Sequence, residues 1–238
     1  MTSPSTALIQ SLANLGVEVI FSLSGNQIMP LYDACIDANV RIIHTRHEGA
    51  AVYMAEAYAQ ITGKMGVALV TAGPGLLNAV SALYSAAQSE TPLLLISGDS
   101  ASHLDGRGAF QELDQISITS PITKISVRPT CPHEMLPAMS KAVSNAVGGT
   151  PGPVHLALPF DMLSAPDAGA PLLTIPSPEL TGLSKAQLNK LFKSLSAARK
   201  PIVITGPQSN QSRQPVACEA LTKKLGMPLI CLESARGL

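Results

Sequence analysis

The sequence predicts a doubly wound parallel α/β sheet followed by the start of a second α/β domain, on three observations. Short apolar runs, hydrophobic on both faces and bounded by Gly, Pro or Ser, alternate with longer segments of helical spacing. Consecutive runs are separated by helix-length segments, which suits right-handed crossovers rather than hairpins. Apolar residues make up 46% and charged residues 13% of the 238 positions, a balance that builds a large core and argues against disorder.

The elements follow in order. Helical spacing over residues 6–15 stops at Gly16, and the run 17–23 reads as a buried strand closed by Ser24-Gly25-Asn26. A helix over 28–38 leads to a strand at 41–44, a helix over 48–61 ends at Gly63, and a strand at 67–71 meets Gly73-Pro74-Gly75. A helix over 76–88, strands at 93–97 and near 124–127, a helix over 133–147 and a strand at 153–158 complete a domain of residues 1–165. Residues 166–184, rich in Pro, Ala, Gly and Ser with no sustained period, read as a linker. A helix over 185–197, a strand at 202–205, a helix over 215–225 and a strand at 228–232 give two α/β units, too few to close a covered sheet. Residues 185–238 are therefore expected to begin a second, central domain that is incomplete in this chain.

Composition excludes several classes. Sixteen basic residues balance sixteen acidic ones, so no global field attracts nucleic acid or an anionic membrane. No apolar run approaches the ~20 residues of a membrane span. Cys35, Cys131, Cys218 and Cys231 are scattered, without metal-site spacing, and read as small buried hydrophobes in a cytoplasmic protein.

Ligands of open parallel sheets bind beyond the carboxyl ends of the strands, so the segments following the strands are where chemistry is expected. Those segments hold Ser22-Leu23-Ser24-Gly25-Asn26, Arg46-His47-Glu48-Gly49-Ala50-Ala51, Thr71-Ala72-Gly73-Pro74-Gly75-Leu76-Leu77-Asn78, and a longer loop with Phe110, Gln111, Glu112 and Asp114. Glu48 opens a helix, where a negative side chain is favoured by about 0.3–1 kcal/mol through the helix dipole alone. Glycines in a strand-to-helix turn allow close backbone approach to a ligand, and equally serve an ordinary turn. Glu112 and Asp114 read as solvated, and His44 and His47 as structural.

Taken in order, RHEGAA, TGKMGVALVTAGPGLLN, FQELDQISITSPITK and GTPGPVHLALPFD resemble the amino-terminal, pyrimidine-binding domain of thiamine-diphosphate enzymes of the acetohydroxyacid (acetolactate) synthase group, over roughly residues 5–165. The resemblance implies that Glu48 hydrogen-bonds to N1′ of the aminopyrimidine and favours its 4′-imino tautomer. It also implies cofactor contacts from Ser24, Gly25, Gly73, Pro74, Gly75 and Asn78, and a place near the entering substrate for Phe110 and Gln111, with Gln111 in the catalytic set. The chemistry asks for a carboxyl in a water-poor place, where desolvation disfavours the charged form. By the same resemblance the parent protein decarboxylates a 2-oxo acid and transfers the acyl unit, works as a homodimer or tetramer, and uses Mg²⁺, with FAD an option in the second domain. Its active sites lie between one subunit's pyrimidine domain and the diphosphate-binding domain of another subunit or chain.

Two departures qualify the match. The family's first post-strand loop reads Gly-Tyr/Leu-Pro-Gly-Gly, where this chain has Ser22 to Asn26 without the Pro. The Gly-Asp-Gly run and following Asn that bind Mg²⁺ and diphosphate have no counterpart, since Gly98-Asp99-Ser100 lacks the third Gly and reads as a strand-ending turn. The metal is therefore expected on a domain absent from this chain, and the isolated chain is expected to be inactive. The rival readings are a non-catalytic nucleotide-binding or regulatory module and an inactive gene fragment. Against the former, the region 21–30 holds a single Gly instead of a GxGxxG fingerprint.

Overall fold

Ser3 starts the first helix: its hydroxyl accepts from the Thr6 N–H at 3.2 Å, and Pro4 occupies a first-turn position whose N–H would have no helical partner. This is seen in a computed structural model describing residues 3–165, 182–209, 222–224 and 226–232. The elements then run α1 (Pro4–Asn14), β1 (Val19–Ser22), α2 (Met29–Asp37), β2 (Arg41–His44), α3 (Glu48–Thr62), β3 (Gly66–Val70), α4 (Pro74–Gln88) and β4 (Leu93–Asp99). They continue with α5 (Gln115–Thr119), β5 (Ser126–Val127), α6 (Met135–Val147), β6 (Pro153–Pro159) and α7 (Phe160–Leu163).

Six strands form one parallel sheet in the order β2-β1-β3-β4-β6-β5. Alternating side chains divide its core into two. Val67 and Leu69 of β3, with Leu94 and Ile96 of β4, point into a cluster shared with α1, α2 and α6. Ala68 and Val70, with Leu93 and Leu95, point into a second cluster shared with α3 and α4. The central strands β3, β4 and β6 are buried along their whole length, as a sheet covered on both faces requires. The doubly wound architecture expected from the sequence is the one observed.

Several boundaries differ, each for a physical reason. The helix expected from residue 76 starts at Pro74, because Pro at a first-turn position is pre-set for helix and loses no hydrogen bond. The strand expected to end at residue 97 continues to Asp99, because Gly98 and Asp99 pair with Leu158 and Pro159 of β6. Gly98-Asp99 is thus strand and not turn, and Asp99, only 3% exposed, meets Arg128 Nε at 2.5 Å. The short helix α5 was not anticipated. Asp114 caps it by accepting from Ser117 N–H at 3.1 Å, and the Glu112 carboxylate accepts from the N–H groups of Gly106 and Ala109, so these two acids organise their loop instead of merely facing water. Of the cysteines, Cys35 is buried, whereas Cys131 and Cys231 are half-exposed.

A buried polar cluster joins α5 to the sheet. Ser97 donates to Gln115 Oε1 at 2.6 Å and lies 2.8 Å from His155 Nε2, while Thr119 and Ser126 hydroxyls lie 2.8 Å from Nδ1. Since the Ser97 proton goes to Gln115, the neutral ring carries its proton on Nε2. Burial pushes the His155 pKa down to about 3. The unfolded chain, with its ordinary value near 6.5, then binds more protons than the folded one between about pH 3 and 6.5. His155 therefore contributes full stability above pH 6.5, and that contribution falls as the pH drops, by on the order of 2 kcal/mol at pH 5. The thermal midpoint should drop between pH 7 and pH 5 by more in the native protein than in His155→Gln; equal drops would show that this ring does not stay neutral.

The chain divides into two compact units, Met1–Pro176 and Ser177–Leu238. In the second, a capping box of Ser184 and Gln187 starts α8 (Lys185–Ala197), and β7 (Val203–Thr205) pairs in parallel with β8 (Leu229–Cys231). Residues 166–181 of the expected linker and most of the helix expected over 215–225 lie outside the described residues, as does Cys218.

Candidate active site

All six strands of the first unit point one way, so their carboxyl ends share one edge of the sheet, and the loops leaving β1, β3 and β4 meet there. Gly25, after β1, lies so close to the segment after β3 that an added Cβ would sit 2.3 Å from Thr71 Cβ. The Thr71 hydroxyl also donates to the buried Gln27 Oε1 at 2.7 Å. Gly73 stands at φ 57°, ψ −113°, backbone territory that only glycine enters freely, and its own added Cβ would meet Gln111 Cβ at 2.9 Å. Gln111 is itself held at φ 63°, uncommon for a residue with a side chain. Its Oε1 is buried without a hydrogen-bond partner. A buried orphan acceptor is costly, and strain of this kind collects at functional sites.

Glu48 is the first residue of α3, brought inward because His47 caps the helix: its Nδ1 accepts from the Gly49 N–H at 3.0 Å. Glu48 as a whole is 8% exposed. Its Oε2 accepts from Asn78 Nδ2, on α4, at 2.9 Å. Oε1 lies toward the glycine turn, 3.5 Å from where a Gly75 Cβ would be, and no hydrogen bond among the described residues reaches it. Glu48, Gly73, Gly75, Asn78 and Gln111 thus lie together, with Gly25 joined to them through Thr71.

Ser24 is exposed, and no hydrogen bond among the described residues involves its side chain. Pro74 is exposed in the first turn of α4, and Phe110, next to Gln111, is 78% exposed. Ala51 is in the core, and a Cβ on Gly49 would lie 3.1 Å from the Asn78 carbonyl oxygen, so α3 and α4 approach closely at Gly49. Gln27 was not singled out from the sequence, and Thr71 was named only as the opening residue of the segment after β3. Among the described residues, no group of three or more His, Cys, Asp or Glu could hold a metal ion.

A buried acid beside a glycine-lined turn, at the carboxyl edge of a doubly wound sheet, defines a ligand-binding domain of the enzyme type. Residues 3–118 match the family described as "Thiamine pyrophosphate enzyme, N-terminal TPP binding domain". The chain belongs to the thiamine-diphosphate enzymes, as an amino-terminal domain of the acetolactate synthase-like group. It is 36% identical over 233 residues to the acetolactate synthase large subunit of Lactococcus lactis, covering 96% of this chain and 40% of that protein. It is 44% identical over 157 residues to 2-hydroxyacyl-CoA lyase 2 of Danio rerio, covering 66% of this chain and 25% of that protein. A solved structure, the thiamine diphosphate-dependent 4-hydroxybenzoylformate decarboxylase of Rhodococcus jostii RHA1, superimposes with a TM-score of 0.89 at 26% identity, over 97% of this chain and 44% of that one. The chain spans less than half the length of these relatives. No helix among the described residues is long and apolar enough to cross a membrane.

Proposed function

We propose that this chain is the pyrimidine-binding part of a thiamine-diphosphate-dependent 2-oxo acid decarboxylase or carboligase, in which Glu48 shares a proton with N1′ of the aminopyrimidine. The observation that carries the reading is Glu48: a buried residue whose carboxyl is held on one oxygen by an amide and has no hydrogen-bond partner among the described residues on the other. The closeness of Gly25 and Gly75 to Thr71 fits a backbone cradle that side chains would fill. The unpartnered Gln111 Oε1 fits an acceptor waiting for a donor on cofactor or substrate. When bound, thiamine diphosphate supplies the nucleophilic carbon and the electron sink of the reaction. Glu48 holds the proton, residues 73–75 shape the floor, and Gln111, with the exposed Phe110 beside it, orients the incoming acid.

In this reading residues 1–165 are the pyrimidine-binding domain, 166–184 the linker and 185–238 the beginning of a central domain. Mg²⁺ and the diphosphate are assigned to a domain of another subunit or chain. Tyr53 and Met54 on α3, and Leu77 and Tyr84 on α4, are exposed large apolar side chains on the same helices as Glu48 and Asn78, which suits burial in a homodimer.

The identity to the zebrafish protein favours a second reading, carbon–carbon cleavage of a 2-hydroxyacyl-CoA. One assay separates them. Full-length protein with thiamine diphosphate and Mg²⁺ should release CO₂ from at least one of a panel of aliphatic and aromatic 2-oxo acids. Aldehyde release from a 2-hydroxyacyl-CoA without CO₂ would favour the second reading, and inertness toward both would overturn the first.

A further inference from the structure

We infer that Asn78 is the positioning residue that selects which oxygen of Glu48 faces the aminopyrimidine; the inference rests on the reading above. A glutamate at the first position of a helix has freely turning side-chain torsions, and fixing them costs conformational entropy. Asn78 offsets that cost with a hydrogen bond at 2.9 Å, strengthened whenever the carboxyl is charged. Its placement is set by backbone, because α3 and α4 approach so closely at Gly49 that a Cβ there would stand 3.1 Å from the Asn78 carbonyl oxygen. With Oε2 held in this way, Oε1 is left toward Gly75 with no hydrogen bond from any described residue. One oxygen is anchored and the other presented, so the carboxyl meets N1′ with a single, fixed lone-pair geometry. Asn78 is itself largely exposed, so little packing depends on its side chain. Its role is thus distinct from touching the cofactor, the part the family resemblance implies for it.

The test uses binding rather than turnover. In the full-length protein with Mg²⁺, the affinity for thiamine diphosphate is compared with that for the analogue carrying carbon in place of N1′, by calorimetry. The ratio of the two affinities reports the N1′ contact alone. Asn78→Leu removes the donor at similar volume, and Asn78→Asp keeps the shape while setting an acceptor against an acceptor. Both should reduce the ratio by about tenfold, the value of one hydrogen bond to a charged group. A ratio unchanged in either variant, including one in which both affinities fall together, overturns the inference and leaves Asn78 a structural residue. Glu48→Leu, which can neither accept from Asn78 nor bond to N1′, supplies the control. If it keeps the full ratio, the reading of Glu48 itself fails; if it loses the ratio while the Asn78 variants keep it, only the role of Asn78 fails.

Discussion

Replacing Glu48 with Gln in the full-length protein should slow hydrogen–deuterium exchange at C2 of bound thiamine diphosphate by roughly 10²–10⁴-fold, the range for loss of a positioned proton donor or acceptor. Gln preserves size and can still accept from Asn78, so the fold and the α3–α4 contact should persist. It cannot pass a proton to and fro with a ring nitrogen. The measurement is quenched-flow exchange followed by proton NMR of released cofactor, with circular dichroism as the check on folding. Exchange at the native rate in a folded, cofactor-loaded variant would remove Glu48 from the chemistry.

The second large effect is expected at Gly73. Any side chain there must accept φ 57°, ψ −113°, and even a methyl group would lie 2.9 Å from Gln111 Cβ and 3.0 Å from the Gln111 carbonyl oxygen. Gly73→Ala should destabilise the first unit by about 1–3 kcal/mol, the usual cost of a forced backbone region. Because the clash is with the residue proposed to orient substrate, kcat/KM should also fall about a hundredfold, as for a reacting group displaced by about an ångström. Denaturant unfolding and steady-state kinetics would read the two effects separately. Native kinetics in the variant would mean that Gln111 does not orient the substrate.

Periodicity and punctuation carried most of the sheet's architecture, because buried parallel strands must be apolar on both faces and helices must not be. Strand β4 ran two residues longer than its apolar run because pairing with β6, not hydrophobicity, holds Gly98 and Asp99 in place. The five-residue α5 left no apolar period to read and rests on an Asp114 cap and the buried Gln115. At the site, Glu48 and the glycine turn were legible from their motifs. The contact of Thr71 with Gln27 spans 44 positions and that of Asn78 with Glu48 spans 30, and such pairings exist only after the loops converge. The orphaned oxygen and positive φ of Gln111 are likewise properties of folded geometry that no residue type announces.

Helices α3 and α4 bury Ala51, Val52, Ala55, Leu76, Ala79, Ala82, Leu83 and Ala86 in one cluster, and they come so close at Gly49 that a Cβ there would lie 3.1 Å from the Asn78 carbonyl oxygen. Small residues predominate there, and the Glu48–Asn78 and Glu56–Ser85 hydrogen bonds cross between the two helices, so the pair is expected to move as a single plank. Acid and amide are mounted near the same end of it. Breathing of the sheet beneath would tilt both as one body, leaving their separation, and with it the aim of the acid, untouched.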